Sequence, residues 1–179
     1  ACALASCEDY IFGPDMGTDE TCMAWVHDEI GRAVGLPREI GGIPLDEIGA
    51  TAWGLRHAVE VAAEIQDLPL RGARVVIQGY GNVGAPTARF LAELGCVTIA
   101  VADSRGATHN EDGFDLEKLD ALKREGGSVV EYPGGRAISE DELVGLDCEI
   151  WVPAARPDVI HMGNVDAMRA KLIVSGANI

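Results

Sequence analysis

Three glycines, Gly79, Gly81 and Gly84, stand at G-x-G-x-x-G spacing in the run Arg74-Val75-Val76-Ile77-Gln78-Gly79-Tyr80-Gly81-Asn82-Val83-Gly84. The chemistry open to that spacing is the holding of a phosphate. The first glycine turns the chain, the second lets backbone N–H groups approach a pyrophosphate, and the third lets a helix pack on a sheet. The anion would lie at the helix start, where unpaired N–H groups and the helix dipole favour negative charge. With 22 glycines in 179 residues the spacing alone is weak. The strand-like run before it and the helical pattern from Val83 onward supply the context that a dinucleotide site needs.

Asp103 lies 19 residues past Gly84, directly after the apolar run Val97 to Ala102. A carboxylate there can accept hydrogen bonds from the ribose hydroxyls of NAD; the plainer alternative is a turn Asp that caps the next loop. Ser104 and Arg105 follow in the same loop, and an Arg so placed can accommodate the extra phosphate of NADP. The expected coenzyme is therefore NAD, with NADP as the alternative. Asp15, after Pro14, sits in a turn where Asp commonly serves backbone hydrogen bonding alone. His27, His57, His109 and His161 are scattered, with no acid or nucleophile at a recognisable spacing. Cys2, Cys7, Cys22, Cys96 and Cys148 are odd in number, without a CxxC pair or a His at metal spacing. They read as reduced thiols of a cytoplasmic protein, and no metal site is expected.

The elements that must position these residues follow from periodicity. Thr18 is expected to cap a helix that opens on Asp19 and Glu20, carries Met23, Val26, Ile30 and Ala33 on one stripe, and ends near Gly35 and Pro37. Gly41-Gly42-Ile43-Pro44 reads as a junction. From about Ile48 a second helix uses Leu55, Val59, Ala62, Ala63 and Gln66. A strand over Val75 to Ile77 then leads into a helix with Val83, Phe90, Leu91 and Leu94 on one face and Pro86 in its first turn. Val97 to Ala102 is a second strand, Asp115 to Glu125 a helix, and Val129 to Tyr132 a weaker strand candidate. Ser139 and Glu142 stand at capping-box spacing, and Cys148 to Val152 and Leu172 to Val174 are two more apolar runs. Continuous apolar strands alternating with helices predict an α/β fold: a Rossmann-like, doubly wound, mostly parallel sheet with helices on both faces.

A chain of 18.9 kDa with 47% hydrophobic and 24% charged residues suits one domain, or one domain and part of another. The net charge of −15 argues against a nucleic-acid partner, because nothing would neutralise a phosphate backbone. An anionic dinucleotide must then be held by local N–H groups against the overall field. No run approaches the roughly 20 apolar residues of a membrane span, and no signal peptide is recognisable. The chain starts without a Met and stops just after an apolar strand, so both ends are expected to be cut from something longer.

Taken together, Gly-Pro-Asp-Met-Gly-Thr at 13–18, Met23-Ala24-Trp25, Gly49-Ala50-Thr51-Ala52-Trp53-Gly54, the Gly-Tyr-Gly-Asn-Val-Gly turn, Val152-Pro153-Ala154-Ala155 and Gly176-Ala177-Asn178 resemble, in order, the glutamate/leucine/phenylalanine/valine dehydrogenase family, its glutamate branch most closely. The resemblance implies reversible oxidative deamination of an L-amino acid, most closely L-glutamate, to a 2-oxo acid and ammonium. The nicotinamide coenzyme would accept a hydride from Cα. It implies a proton-shuttling role for Asp15, nicotinamide contacts at Thr51 (carboxamide) and Asn178 (ribose), and a coenzyme-flanking strand end at Ala154 and Ala155. Asn82 and Val83 belong to the phosphate turn. It further implies residues 1–43 as the end of a substrate domain with its hinge helix, residues 44–179 as a truncated NAD(P) domain, and a homo-oligomer, hexameric in the full-length family. The family's substrate-gripping and catalytic lysines lie upstream of the Asp15 motif, whereas this chain has only Lys118, Lys123 and Lys171. Arg156-Pro157 stands where acidic or amide residues are commoner. A dinucleotide-binding or regulatory subunit without catalysis of its own is the alternative.

Overall fold

The computed structural model describes residues 10–15 and 17–177, and the chain divides into two compact units, Ala1–Thr51 and Ala52–Ile179. Cys2, Cys7 and Asn178 lie outside the described residues.

In the first unit, helix α1 covers Glu20–Ile30. Its N-cap is Asp19, whose carboxylate accepts from the Cys22 N–H at 2.9 Å, rather than the expected Thr18. The Thr18 hydroxyl is turned the other way, onto the backbone of Asp15. Gly31 ends α1 in the left-handed conformation, φ 76°, returning its N–H to the His27 carbonyl. The helix therefore stops short of Gly35, and Ala33 pairs in a bridge with Phe12 instead of extending the stripe. Glu20 serves more than the helix dipole: its carboxylate accepts from the N–H groups of Asp46 and Glu47 at 3.0 and 3.3 Å, fastening that loop to α1.

Helix α2, Ala50–Ile65, buries Ala52, Leu55, Val59 and Ala63 along one stripe, while Gln66 falls exposed beyond its end. His57, which the sequence left without an acid partner, meets Glu60 at 2.7 Å one helical turn away. The strands are β1 (Arg74–Gln78), β2 (Val97–Asp103), β3 (Gly106–His109), β4 (Arg136–Ile138), β5 (Ile150–Pro153) and β6 (Leu172–Ile173), in the sheet order β4-β3-β2-β1-β5-β6. From β2 to β6 the pairings are parallel, and β3 and β4 add an antiparallel edge. The segment expected to be a strand at Val129 to Tyr132 is a 3-10 turn, Val129–Glu131. Ser128 and Glu131 form a reciprocal capping box there; the N–H groups of Val129 and Val130 go to the side chains of Asp103 and Ser128 and those of Glu131 and Tyr132 to the turn's own carbonyls, so none is left for a ladder.

The remaining helices are α3 (Gly84–Glu93), α4 (Leu116–Arg124) and α5 (Glu140–Val144), the last opened by the Ser139/Glu142 capping box that its spacing predicts. Successive strand residues serve opposite faces. Val75, Ile77, Ile150 and Val152 pack with Leu55 and Val59 of α2, Leu91 of α3 and Leu119 of α4. Val76, Ala100 and Trp151 pack with Leu143 and Val144 of α5. Trp151 is fully buried, and its indole N–H donates to the Leu143 carbonyl at 3.2 Å. This is the doubly wound, mostly parallel sheet that the alternation predicts. Cys22, Cys96 and Cys148 are free thiols, and burial pushes Cys96 to about 11 and Cys148 to about 12, so both stay protonated and unreactive. Among the described residues no group of three or more His, Cys, Asp or Glu could hold a metal ion, and no helix is long and apolar enough to cross a membrane.

Candidate functional site

β1 delivers the glycine turn to its carboxyl end, and each glycine there has a separate physical reason. Gly79 adopts φ 104°, and a Cβ on it would lie 2.5 Å from the Ala155 Cβ. A Cβ on Gly84 would lie 1.7 Å from the Gly79 carbonyl oxygen, so only glycine lets α3 begin so close to the turn. A Cβ on Gly81 would meet nothing within 4 Å. The fold itself therefore demands the first and third glycines, whereas the second leaves space open. Among the described residues, the N–H groups of Gly81, Asn82, Val83 and Gly84 have no acceptor, which makes this turn a cradle suited to an anion.

The turn is held from behind. Tyr80 is 3% exposed; its N–H donates to the Ala102 carbonyl at 2.7 Å and its hydroxyl to Asp120 of α4 at 2.8 Å. Asp120 in turn receives Arg89 of α3 at 2.6 Å. Burial, and next the bond to Asp120, push the Tyr80 phenol well above its ordinary range.

A cavity of about 790 Å³ opens at the carboxyl ends of β1, β2 and β5, where ligands of open α/β sheets bind. Gly79, Gly81, Asp103, Ser104, Ala154 and Ala155 line it, so the structure brings six of the expected residues together. The Ala154 N–H donates to the Gln78 carbonyl at 2.7 Å, which lays that strand end alongside the turn. Asn82 and Val83 lie on the turn itself, Asn82 exposed and Val83 with its side chain packed toward the core. Asp15 and Thr51 belong to the first unit, Ala1–Thr51.

Asp103 is more deeply engaged than its spacing suggests. Its side chain is 8% exposed, and its carboxylate accepts from Lys123 Nζ at 2.7 Å, the Ser128 hydroxyl at 2.9 Å, the Arg105 N–H at 2.9 Å and the Val129 N–H at 3.0 Å. Four donors fill the acceptor positions of a carboxylate, so Asp103 joins the end of β2 to α4 and to the 3-10 turn. A ribose hydroxyl would have to share or displace one of them. Sequence reasoning missed Lys123 in this role. The available signal was the three-residue spacing of Asp120 and Lys123, which puts both on one side of α4. The other cations of the cavity wall are also matched, Arg105 with Glu131 at 3.2 Å and Arg156 with Glu140 at 2.5 Å. Both pairs are about half exposed, so they exchange partners at little cost.

Two carboxylates tie this sheet together electrostatically. Burial alone would raise Asp103, but the bonds from Lys123, Arg105, Val129 and Ser128 outweigh it and bring it down to about 2. Glu149 is brought to about 2 chiefly by the Arg74 side chain against burial, with help from the Arg74 N–H and Lys171. Because both are depressed in the folded state, their stabilisation is complete above roughly pH 4, the unfolded carboxylate range, and is lost as pH falls toward about 2. The thermal midpoint is therefore expected to fall steeply across that window and less steeply in Glu149→Gln. An unchanged slope in that variant would contradict the assignment.

In the first unit, the Thr18 hydroxyl accepts the Asp15 N–H at 2.8 Å and donates to the Asp15 carbonyl at 2.8 Å, clamping both main-chain groups of Asp15. A Cβ on Gly35 would meet the Pro14 ring at 2.5 Å, so the loop bearing the exposed Asp15 is closely seated within this unit.

A family model described as Glutamate/Leucine/Phenylalanine/Valine dehydrogenase matches residues 41–179. The glutamate dehydrogenase of Thermotoga maritima is 40% identical over 175 residues, covering 92% of this chain and 42% of that protein. The NADP-specific glutamate dehydrogenase of Saccharolobus shibatae is 39% identical over 174 residues, covering 92% and 41%. The structure of the hetero-hexameric glutamate dehydrogenase from Thermus thermophilus, in its leucine-bound form, matches with a TM-score of 0.81 at 32% identity, over 99% of this chain and 44% of that one. The chain thus spans less than half the length of the curated relatives it matches.

Proposed function

The chain belongs to the glutamate/leucine/phenylalanine/valine dehydrogenase family, and on that premise we propose that it supplies the coenzyme-binding part of an enzyme that reversibly deaminates L-glutamate to its 2-oxo acid and ammonium. The observation that carries this reading is the turn Gly79 to Gly84, with four backbone N–H groups lacking acceptors among the described residues, at the tip of β1 beside a cavity of about 790 Å³. That is a binding surface for a pyrophosphate. The nicotinamide coenzyme, when bound, accepts the hydride from the amino-acid Cα.

In this reading the N–H groups of Gly81, Asn82, Val83 and Gly84 hold the pyrophosphate, and Ala154 and Ala155 flank the coenzyme. Thr51 contacts the nicotinamide carboxamide and Asn178 the nicotinamide ribose. Asp15 exchanges protons with the imine and carbinolamine formed from the substrate. Residues 1–43 are the end of the substrate domain and residues 44–179 the coenzyme domain. NAD is the proposed coenzyme on the strength of Asp103, and Arg105 on the cavity wall supports use of NADP as well. The protein is proposed to work in the cytoplasm as an assembly of several like subunits.

One observation favours a second reading. Lys118, Lys123 and Lys171 are each paired with a carboxylate, Asp115, Asp103 and Glu149. The lysines that grip and polarise the substrate must then come from residues other than these 179, and without them the chain is a coenzyme-binding subunit that performs no chemistry. Titration with NADH, followed by its fluorescence, is expected to saturate well below millimolar concentration. Absence of binding at millimolar NADH rejects both readings. Tight binding without glutamate-dependent NADH formation by the full-length protein selects the second.

A further inference from the structure

Among the described residues, nothing accepts from the N–H groups of Gly81, Asn82, Val83 and Gly84, so the shape of the turn has to be fixed from behind. Part of that fixing is local: the Ala85 N–H returns to the Gly81 carbonyl at 3.0 Å, and the Thr87 hydroxyl donates to the Val83 carbonyl at 2.7 Å. The rest falls to Tyr80. Among the described residues it is the one member of Gly79 to Gly84 whose side chain hydrogen-bonds, its hydroxyl donating to Asp120 Oδ1 of α4 at 2.8 Å. Asp120 Oδ2 receives Arg89 Nη1 of α3 at 2.6 Å. One carboxylate thus ties the turn, the helix that follows it and a helix further along the chain.

Packing alone does not call for this arrangement. Tyr80 is 3% exposed, and phenylalanine would fill the same space with no hydroxyl to satisfy. With its N–H on the Ala102 carbonyl at 2.7 Å, Tyr80 is pinned at the main chain by β2 and at the side chain by α4. The planar peptides that follow are aimed from that fixed point. Resting on the dinucleotide reading above, we propose that Asp120 is a positioning residue for the coenzyme: by holding Tyr80, it keeps the N–H groups of Gly81 to Gly84 aimed at the pyrophosphate before the ligand arrives. Its contribution is preorganisation, since a turn already in its bound shape loses less freedom on binding. The charge is not what counts, because Arg89 balances it and an unbalanced anion behind the turn would oppose a pyrophosphate. Tyr80 requires an acceptor at that place, which asparagine also supplies.

NADH, ADP and adenosine are titrated into the full-length protein and into Tyr80→Phe, Asp120→Ala, the double variant and Asp120→Asn, at a temperature well below each thermal midpoint. ADP carries the pyrophosphate and adenosine does not. Tyr80→Phe and Asp120→Ala are each expected to weaken NADH and ADP about tenfold while adenosine stays within about threefold of wild type. The double variant should lose no more than either single one, because both remove the same hydrogen bond. Asp120→Asn should hold NADH within about threefold of wild type. Tyr80→Phe removes one oxygen and carries the test by itself if Asp120→Ala does not fold. A loss of NADH affinity below about threefold in Tyr80→Phe overturns the proposal and leaves the dinucleotide reading intact. An equal loss for adenosine overturns it too, since the fold as a whole would then have loosened. So do losses that multiply in the double variant, or an Asp120→Asn protein as weak as Asp120→Ala. Failure of wild type to bind NADH removes the dinucleotide reading itself, and this inference with it.

Discussion

Replacement of Gly84 by alanine is expected to destabilise the second unit by about 3 kcal/mol and to abolish NADH binding. The added Cβ would lie 1.7 Å from the Gly79 carbonyl oxygen. Both sides of that clash are main chain, so no side-chain rotation relieves it; either α3 moves away from the turn or the turn opens. Gly81→Val is the informative counterpart. Nothing lies within 4 Å of its Cβ position, and its φ is not in the left-handed region, so stability should stay within about 1 kcal/mol of wild type. Yet the new side chain would occupy the space a pyrophosphate needs, and affinity should fall about 100-fold or more. Urea midpoints and NADH titrations of the two variants separate a glycine required by the fold from one required by the ligand. A Gly81→Val protein that binds NADH like wild type would show that the space serves some other purpose.

The second large effect concerns chemistry rather than binding. If Asp15 shuttles protons as proposed, Asp15→Asn in the full-length protein is expected to lower turnover by about 10²-fold to 10⁴-fold, the range for loss of a general acid–base group, with NADH affinity unchanged. Thr18→Val, which removes the hydroxyl clamping both main-chain groups of Asp15, should lower turnover about tenfold by loosening that loop, and Thr18→Ser should restore it. Turnover of Asp15→Asn within threefold of wild type would end the proton-shuttle assignment.

These expectations differ in where their grounds lie. The strand, glycine turn and α3 were legible because they are consecutive: β1 carries a buried apolar run, and Gly84 meets the Gly79 carbonyl within a span of six residues. Met23 of α1, the stripe of α2 and the Ser139/Glu142 cap of α5 were legible for the same reason, since helical neighbours three or four residues apart carry the signal. Misreadings occurred where two local choices competed. Thr18 and Asp19 are both good caps, and the Thr18 hydroxyl was taken by Asp15. Val129 to Tyr132 has strand composition, but Ser128 and Glu131 captured its backbone.

The sequence by itself determined a mostly parallel α/β sheet, a glycine turn between its first strand and the next helix, and an ordered set of motifs shared with one dehydrogenase family, because each of these depends on residues close together in the chain. Only the tertiary structure decided that Asp103 is filled by Lys123, Ser128 and Val129, and that α4 braces the turn through Asp120. Those partners stand 20 to 40 residues apart and meet through the strand order β4-β3-β2-β1-β5-β6 and the helices laid across it. No spacing rule reaches that far: whether a polar atom is satisfied depends on every element packed around it.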